Sequence, residues 1–147
     1  MHFDGTFNVK APKEKVFSII MDPNQISKCM PDLQKLEVKS PEDFTATIKA
    51  GVSFIKGDFV LRFQTVEKTP PTHAKMVGHG TGIGSTVDID MLLDLSDAAD
   101  GGTSMKWSAD AKIGGRIASV GQRLLSGQAE KIIKQLFDSL NTLLEAA

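Results

Sequence analysis

The chain has 147 residues, 41% of them hydrophobic and 24% charged, with 17 basic and 18 acidic side chains and a net charge of −1. That length suits one domain with its own core, read as residues 1–147. The even mixture of signs excludes the basic field that nucleic-acid binding requires. No stretch approaches the roughly 20 apolar residues of a membrane span.

Residues 2–9 predict a strand with Phe3, Gly5, Phe7 and Val9 on one face. Pro12 suits the first position of a short helix carrying the i,i+4 pairs Val16/Ile20 and Phe17/Met21. A second helix start follows, with Asp22 as N-cap, Pro23 at the first position and Gln25 reaching back. Met30-Pro31 ends it. From about 34 to 113 the period is two. Phe44 to Phe54, Phe59 to Phe63, Val87 to Leu95 and Met105 to Ile113 alternate with polar neighbours, as in an antiparallel sheet with one face inward. Turns are expected at 40–43, 56–58, 69–72 and 97–102. Ile117, Val120, Leu124, Ile132/Ile133, Leu136/Phe137, Leu140 and Leu143/Leu144 then mark one long helix from about Gly115 to Glu145. The order predicts an α+β fold: a curved antiparallel sheet of about seven strands around a long C-terminal helix, with two short helices after the first strand. Such a grip leaves room for a cavity near the short helices.

The chemistry-bearing motifs are sparse. GHGTGIGST at 78–86 has neither the spacing of a dinucleotide fingerprint nor the lysine of a phosphate loop, and a strand follows it instead of a helix. It reads as a bent connection in the sheet, with Gly80 and Gly82 at positive φ. His2, His73 and His79 are too scattered for a metal site, so no metal and no cofactor are expected. Cys29 has no basic neighbour to make it a thiolate and reads as a small buried residue. One cysteine and no legible secretory signal fit a cytoplasmic setting. No catalytic residue is assigned. The inward row is apolar, rich in Met and Phe, which is compatible with plain core and with ligand lining. Gly121 and Gly127 fall inside the predicted helix, where each costs about 1 kcal/mol against alanine.

The segment 114–137, GGRIASVGQRLLSGQAEKIIKQLF, resembles the CoxG family, named for the G subunit of carbon monoxide dehydrogenase, at Gly114, Gly115, Ala118, Gly121 and Arg123, followed by Ala129 and Phe137. Asp22-Pro23 with Cys29-Met30-Pro31 is similar to the family's D-P…C-I-P-G segment, although Asp32 stands where glycine is common. Lys56-Gly57-Asp58-Phe59, Pro70-Pro71 and GHGTGIGST are similar to later family landmarks, so the resemblance covers nearly the whole chain. It implies the helix-grip fold of the START/pollen-allergen-like (SRPBCC) superfamily. It also implies a non-catalytic accessory protein that holds a lipid or isoprenoid quinone and serves a molybdenum hydroxylase such as CO dehydrogenase.

The expected lining is Phe17, Met30, Phe44, Phe54, Phe63, Met76, Met91, Trp107, Ala109, Val120, Gly121 and Leu124. Arg123 stands at a polar entrance, meeting either a ligand head group or a surface carboxylate. Peripheral membrane contact stays open. Two alternatives also stay open: a polyketide cyclase/dehydratase-like enzyme using the same cavity, and an adaptor with a filled core.

Overall fold

The alternating runs become seven antiparallel strands. The computed structural model describes residues 1–53 and 55–146. Its strands are β1 (His2–Val9), β2 (Leu33–Ser40), β3 (Asp43–Val52), β4 (Ile55–Thr69), β5 (His73–Gly82), β6 (Ser85–Asp97) and β7 (Thr103–Gly115). They form one sheet in the order β1-β7-β6-β5-β4-β3-β2. Every step from β2 to β7 is a hairpin between sequence neighbours, and β1 closes beside β7. The helices are α1 (Lys13–Ile20), α2 (Pro23–Ile26) and α3 (Gln122–Ala146).

Local chemistry explains the joints. Pro12 sits one place before α1, as its N-cap residue. Asp22 caps α2, its carboxylate accepting from the Asn24 N–H at 3.0 Å, with Pro23 at the first helical position. Gln25 does not reach back; its side-chain oxygen instead accepts from Lys28 Nζ at 3.4 Å. The turn expected at 56–58 lies earlier. Val52 pairs with Ile55, Ser53 has φ 57°, and Lys56, Gly57 and Asp58 already belong to β4.

The glycine-rich segment is a joint in the sheet, but its bend is not at Gly80 and Gly82. Both are paired within β5, Gly80 with Leu61 and Val87, and Gly82 with Ser85. The reversal is made by Ile83 and Gly84 at φ 56° and 66°, the positive-φ pair that matches a two-residue hairpin to the sheet twist. Gly82 does have a positive φ, 159°, whereas Gly80 does not, and a Cβ at Gly82 would run into the Asp58 carbonyl oxygen of the neighbouring strand.

The long helix also begins later than its apolar stripe suggests. β7 continues to Gly115, a 3-10 turn spans Ile117–Val120, and α3 starts at Gln122. Gly121 is therefore outside the helix, at φ 98°. A 3-10 turn repeats at i,i+3, so Ile117 and Val120 imitate the first turn of a helical stripe. The true phase puts Leu125 under the helix, in an apolar cluster with Ile117 and Val120, while Leu124 is 54% exposed. Gly127 is helical, yet a Cβ there would meet nothing within 4 Å, so close packing does not account for it.

Two buried cores result. The larger joins Val16, Phe17 and Ile20 of α1 to Leu140 and Leu144 of α3 and to Phe44, Met76, Leu95 and Met105 of the sheet. The smaller gathers Val52, Ile55, Phe59 and Ile117 at the opposite end of α3. Each is tied by a buried hydroxyl. Thr103 Oγ1 donates to the Ala11 carbonyl at 2.6 Å, and Ser85 Oγ accepts from the Ile117 N–H at 2.8 Å.

Gly82→Ala should destabilise the chain by about 2–3 kcal/mol, because its neighbour is backbone that cannot swing away. Gly127→Ala should stabilise it by up to about 1 kcal/mol. Thermal unfolding of the two variants against the parent checks both signs.

Candidate functional site

The inward face can be followed row by row through the strand register. Nearest α1, Phe7 faces Met105, and Met105 faces Leu95. In the next row Gly5 faces Trp107, Trp107 faces Leu93, and Leu93 faces Ala74. Then comes Phe3–Ala109–Met91–Met76. Ala111–Ile89–Gly78–Phe63–Phe44 follows. Ile113–Val87–Gly80–Leu61–Ala46 lies nearest the smaller core.

Side-chain size changes along these rows. The end near α1 is filled by Met105, Leu95, Phe7 and Trp107. The middle rows contain Ala109, Ala111, Gly78 and Gly80. The glycines make shelves for neighbouring bulk. A Cβ at Gly78 would lie 3.0 Å from Phe63 Cε1, and one at Gly5 would lie 3.0 Å from Trp107 Cζ2. Phe63 can then stack on Phe44 at 5.2 Å, and Trp107 tilts against Phe137 of α3 at 5.2 Å.

Between the cores, Leu61, Ile89, Ala109 and Ala111 are only half-buried although they point inward, and they belong to neither core cluster. These four, edged by Met91, Phe63 and Trp107, are the floor of the candidate site. Ala129, Ile132 and Ile133 of α3 are half-buried as well. A sheet of seven strands is roughly 29 Å wide and a helix with its side chains about 10–12 Å. One helix therefore leaves part of the floor uncovered.

The expected lining residues fall into separate groups. Phe17, Phe44 and Met76 are buried in the larger core. Met30, Phe63, Met91 and Trp107 are half-buried and pack against its edge. Ala109 lies on the open floor. Val120 packs on the smaller core. Gly121 forms the joint before α3, and Leu124 and Arg123 project outward from its first turn. Among the described residues Arg123 has no carboxylate partner. Phe54 lies outside the described residues. Leu61, Ile89 and Ala111, absent from the expected set, are signalled by the same alternation once the register is known.

The floor is electrically neutral. Among the described residues the buried polar side chains are Ser27, Ser85 and Thr103, and none of their atoms lacks a hydrogen-bond partner. Burial pushes the Cys29 thiol up, away from the thiolate form. Charge is placed on the convex face, where each histidine sits opposite an aspartate on the next strand. His79 Nδ1 is 2.6 Å from Asp88, His73 Nδ1 is 2.8 Å from Asp94, and His2 Nδ1 is 2.7 Å from Asp110. Among the described residues no three His, Cys, Asp or Glu side chains converge for a metal. Two surface hollows, of about 350 and 470 Å³, lie on this convex side, lined chiefly by such residues as Asp4, Asp94 and Lys106 or His2, Asp88 and Asp110. Neither is in the grip.

Over residues 5–145 the chain matches the profile of CoxG, the G subunit of carbon monoxide dehydrogenase. It belongs to that family. A conserved protein from Geobacillus kaustophilus is similar at 27% identity and TM-score 0.91, covering 99% of this chain and 96% of its own. A START superfamily protein from Mycobacterium smegmatis shares the fold at 10% identity and TM-score 0.74, covering 99% and 97%. TTHA0849 from Thermus thermophilus does so at 12% identity and TM-score 0.73, covering 99% and 98%. No curated protein sequence matches the chain. The architecture is thus the helix grip of START-like proteins, here in its CoxG form. No helix among the described residues is long and apolar enough to cross a membrane.

The aspartates raise the pKa of two histidines above the ordinary value: His2 through Asp110 and then Asp4, and His73 chiefly through Asp94. These pairs favour the folded chain fully below the unfolded histidine pKa, and the contribution fades as pH rises through the higher folded value. An NMR titration should give a His73 midpoint above that of an unpaired histidine, falling in Asp94→Asn. An unmoved midpoint in that variant would show that the pair does not form.

Proposed function

We propose that this CoxG-family chain binds a hydrophobic small molecule, a lipid or isoprenoid quinone, on the floor formed by the middle of β4–β7 and faced by α3. The observation that carries the reading is the half-buried state of Leu61, Ile89, Ala109 and Ala111. Apolar surface left open between two well-packed cores is free energy an apolar ligand recovers, at about 25 cal/mol for each Å² covered. The small floor residues leave space, while Met91 adjusts to the shape of an occupant. The charges face away, which favours holding over reacting: general acid–base chemistry needs a positioned ionisable group. The chain is accordingly read as non-catalytic, and its single cysteine fits a cytoplasmic setting. The family's name connects it to carbon monoxide dehydrogenase, and the proposal extends to an accessory role beside such a molybdenum hydroxylase, supplying or receiving a lipophilic redox partner.

Trp107, the single tryptophan, borders the floor and is a built-in reporter. Titration with decylubiquinone should quench its emission saturably, and Ala109→Phe, which fills the floor, should weaken the apparent affinity at least about tenfold. Equal, non-saturating quenching in both proteins would reject a bound site.

A further inference from the structure

One hydrogen-bond donor beside the floor is left without an acceptor. Trp107 points inward between Gly5 and Leu93 of its row, and it is half-buried. Its indole leans over Gly5, where a Cβ would lie 3.0 Å from Cζ2 and 3.1 Å from Nε1. The N–H edge thus occupies space that a side chain at position 5 would claim. Phe137 of α3 packs against the ring at 5.2 Å. Among the described residues the indole N–H donates to nothing, and Nε1 is not sealed inside the protein. A buried indole N–H ordinarily finds a partner.

The hydroxyls around the grip are already committed. Ser85 Oγ donates to the Ile83 carbonyl at 3.3 Å, Thr103 Oγ1 to Ala11, and Ser126 Oγ to Met1 Sδ at 3.3 Å. The inward hydroxyl of Thr65, opposite Met76, is three strands away from Trp107. The indole also lies at a seam. The edge strand β1 meets α3 where Phe7 stacks on Phe137 at 4.9 Å and where Met1 meets Ser126. Between those two contacts are Phe3 and Gly5, and Phe3, half-buried, packs on neither core. Phe3 faces Ala109 of the floor, one row from Trp107, so an occupant of the floor reaches the indole edge from there. The rows of the floor carry no cation, and a carboxylate held on it would be desolvated unpaired at high cost. An indole N–H donates only, so it suits a neutral oxygen acceptor.

We infer that Trp107 Nε1 anchors a neutral carbonyl oxygen at one end of the ligand, placing that end at the seam between β1 and α3 and the hydrocarbon tail over Ala109, Ala111 and Gly80. The inference rests on the proposed binding floor and adds its specificity. A quinone carbonyl and an acyl ester share this chemistry, and the test separates them. The single tryptophan gives a single indole cross-peak in a proton–nitrogen NMR spectrum of the whole chain. With decylubiquinone or methyl dodecanoate the indole proton should move downfield and exchange more slowly with water, while the Ala109 and Ala111 amides shift. The probe with the larger response names the acceptor. Decylbenzene, with a ring and a tail but no oxygen, should shift the same amides without the downfield move. Trp107→Phe should weaken the responding carbonyl probe roughly fivefold and decylbenzene less than about twofold, whereas Thr65→Val should keep the parent's preference. The parent's spectra decide the question even if Trp107→Phe does not fold. Shifted floor amides with an unmoved indole proton, the same downfield move with decylbenzene, or equal losses of both probes in Trp107→Phe would overturn the anchor and leave the floor standing. Floor amides that respond to no probe would overturn the floor, and the anchor with it.

Discussion

A single helix must cover the concave face of a seven-stranded sheet, and the rest of the structure follows from that mismatch. α3 is long enough, at roughly 37 Å, to cross the sheet, but too narrow to seal it. The chain closes the two ends in different ways. At one end α1 and the last turns of α3 bury Val16, Leu140 and Leu144, with Lys15 Nζ donating to the Leu144 carbonyl at 3.0 Å. At the other end the 3-10 turn inserts Ile117, held by the Ser85 hydroxyl. What remains between the ends is the alanine- and glycine-rich middle of the sheet.

The separation of charge and apolar surface across the sheet has the same origin. Strict alternation sends every other residue of β5, β6 and β7 to the convex side. There Asp88, Asp94 and Asp110 meet histidines, and Lys112 and Lys106 face Asp88 and Asp94 in register. Apart from the Trp107 indole and the buried hydroxyls of Ser85 and Thr103, the concave side of these strands is left with hydrocarbon, sulfur and bare backbone. A surface of that kind can select for size and apolarity but offers few groups to drive a reaction. On the proposed reading such a surface serves a carrier or accessory role. Arg116 and Arg123, in and just after the joint that leads from β7 to α3, lie outside this pattern, and among the described residues neither has a carboxylate partner.

Most of the architecture was legible because period-two alternation is a strong local signal, and it assigned Met91, Ala109 and Trp107 to the inward face without any knowledge of pairing. Three features were hidden. The start of α3 was obscured because Ile117 and Val120 share the i,i+3 spacing of a helix, and extending that false phase selected Leu124 where the fold uses Leu125. The turn in GHGTGIGST falls on Ile83-Gly84 because the alternating glycines Gly78, Gly80 and Gly82 are needed as strand residues beneath Phe63, Leu61 and Asp58. Composition alone cannot tell a glycine that turns the chain from one that yields space. The floor residues Leu61, Ile89 and Ala111 could be singled out only once register and burial showed which part of the inward row the helix leaves open.

The account rests on that open floor being occupied in the protein as it is made. Native mass spectrometry of the chain purified without detergent from its own host is the most direct test. The account predicts a population heavier than the bare chain by the mass of one lipid or quinone, released by organic solvent and identifiable in the extract. A single species at the mass of the bare chain, with nothing lipophilic extracted, would contradict it and mark the grip as a closed core.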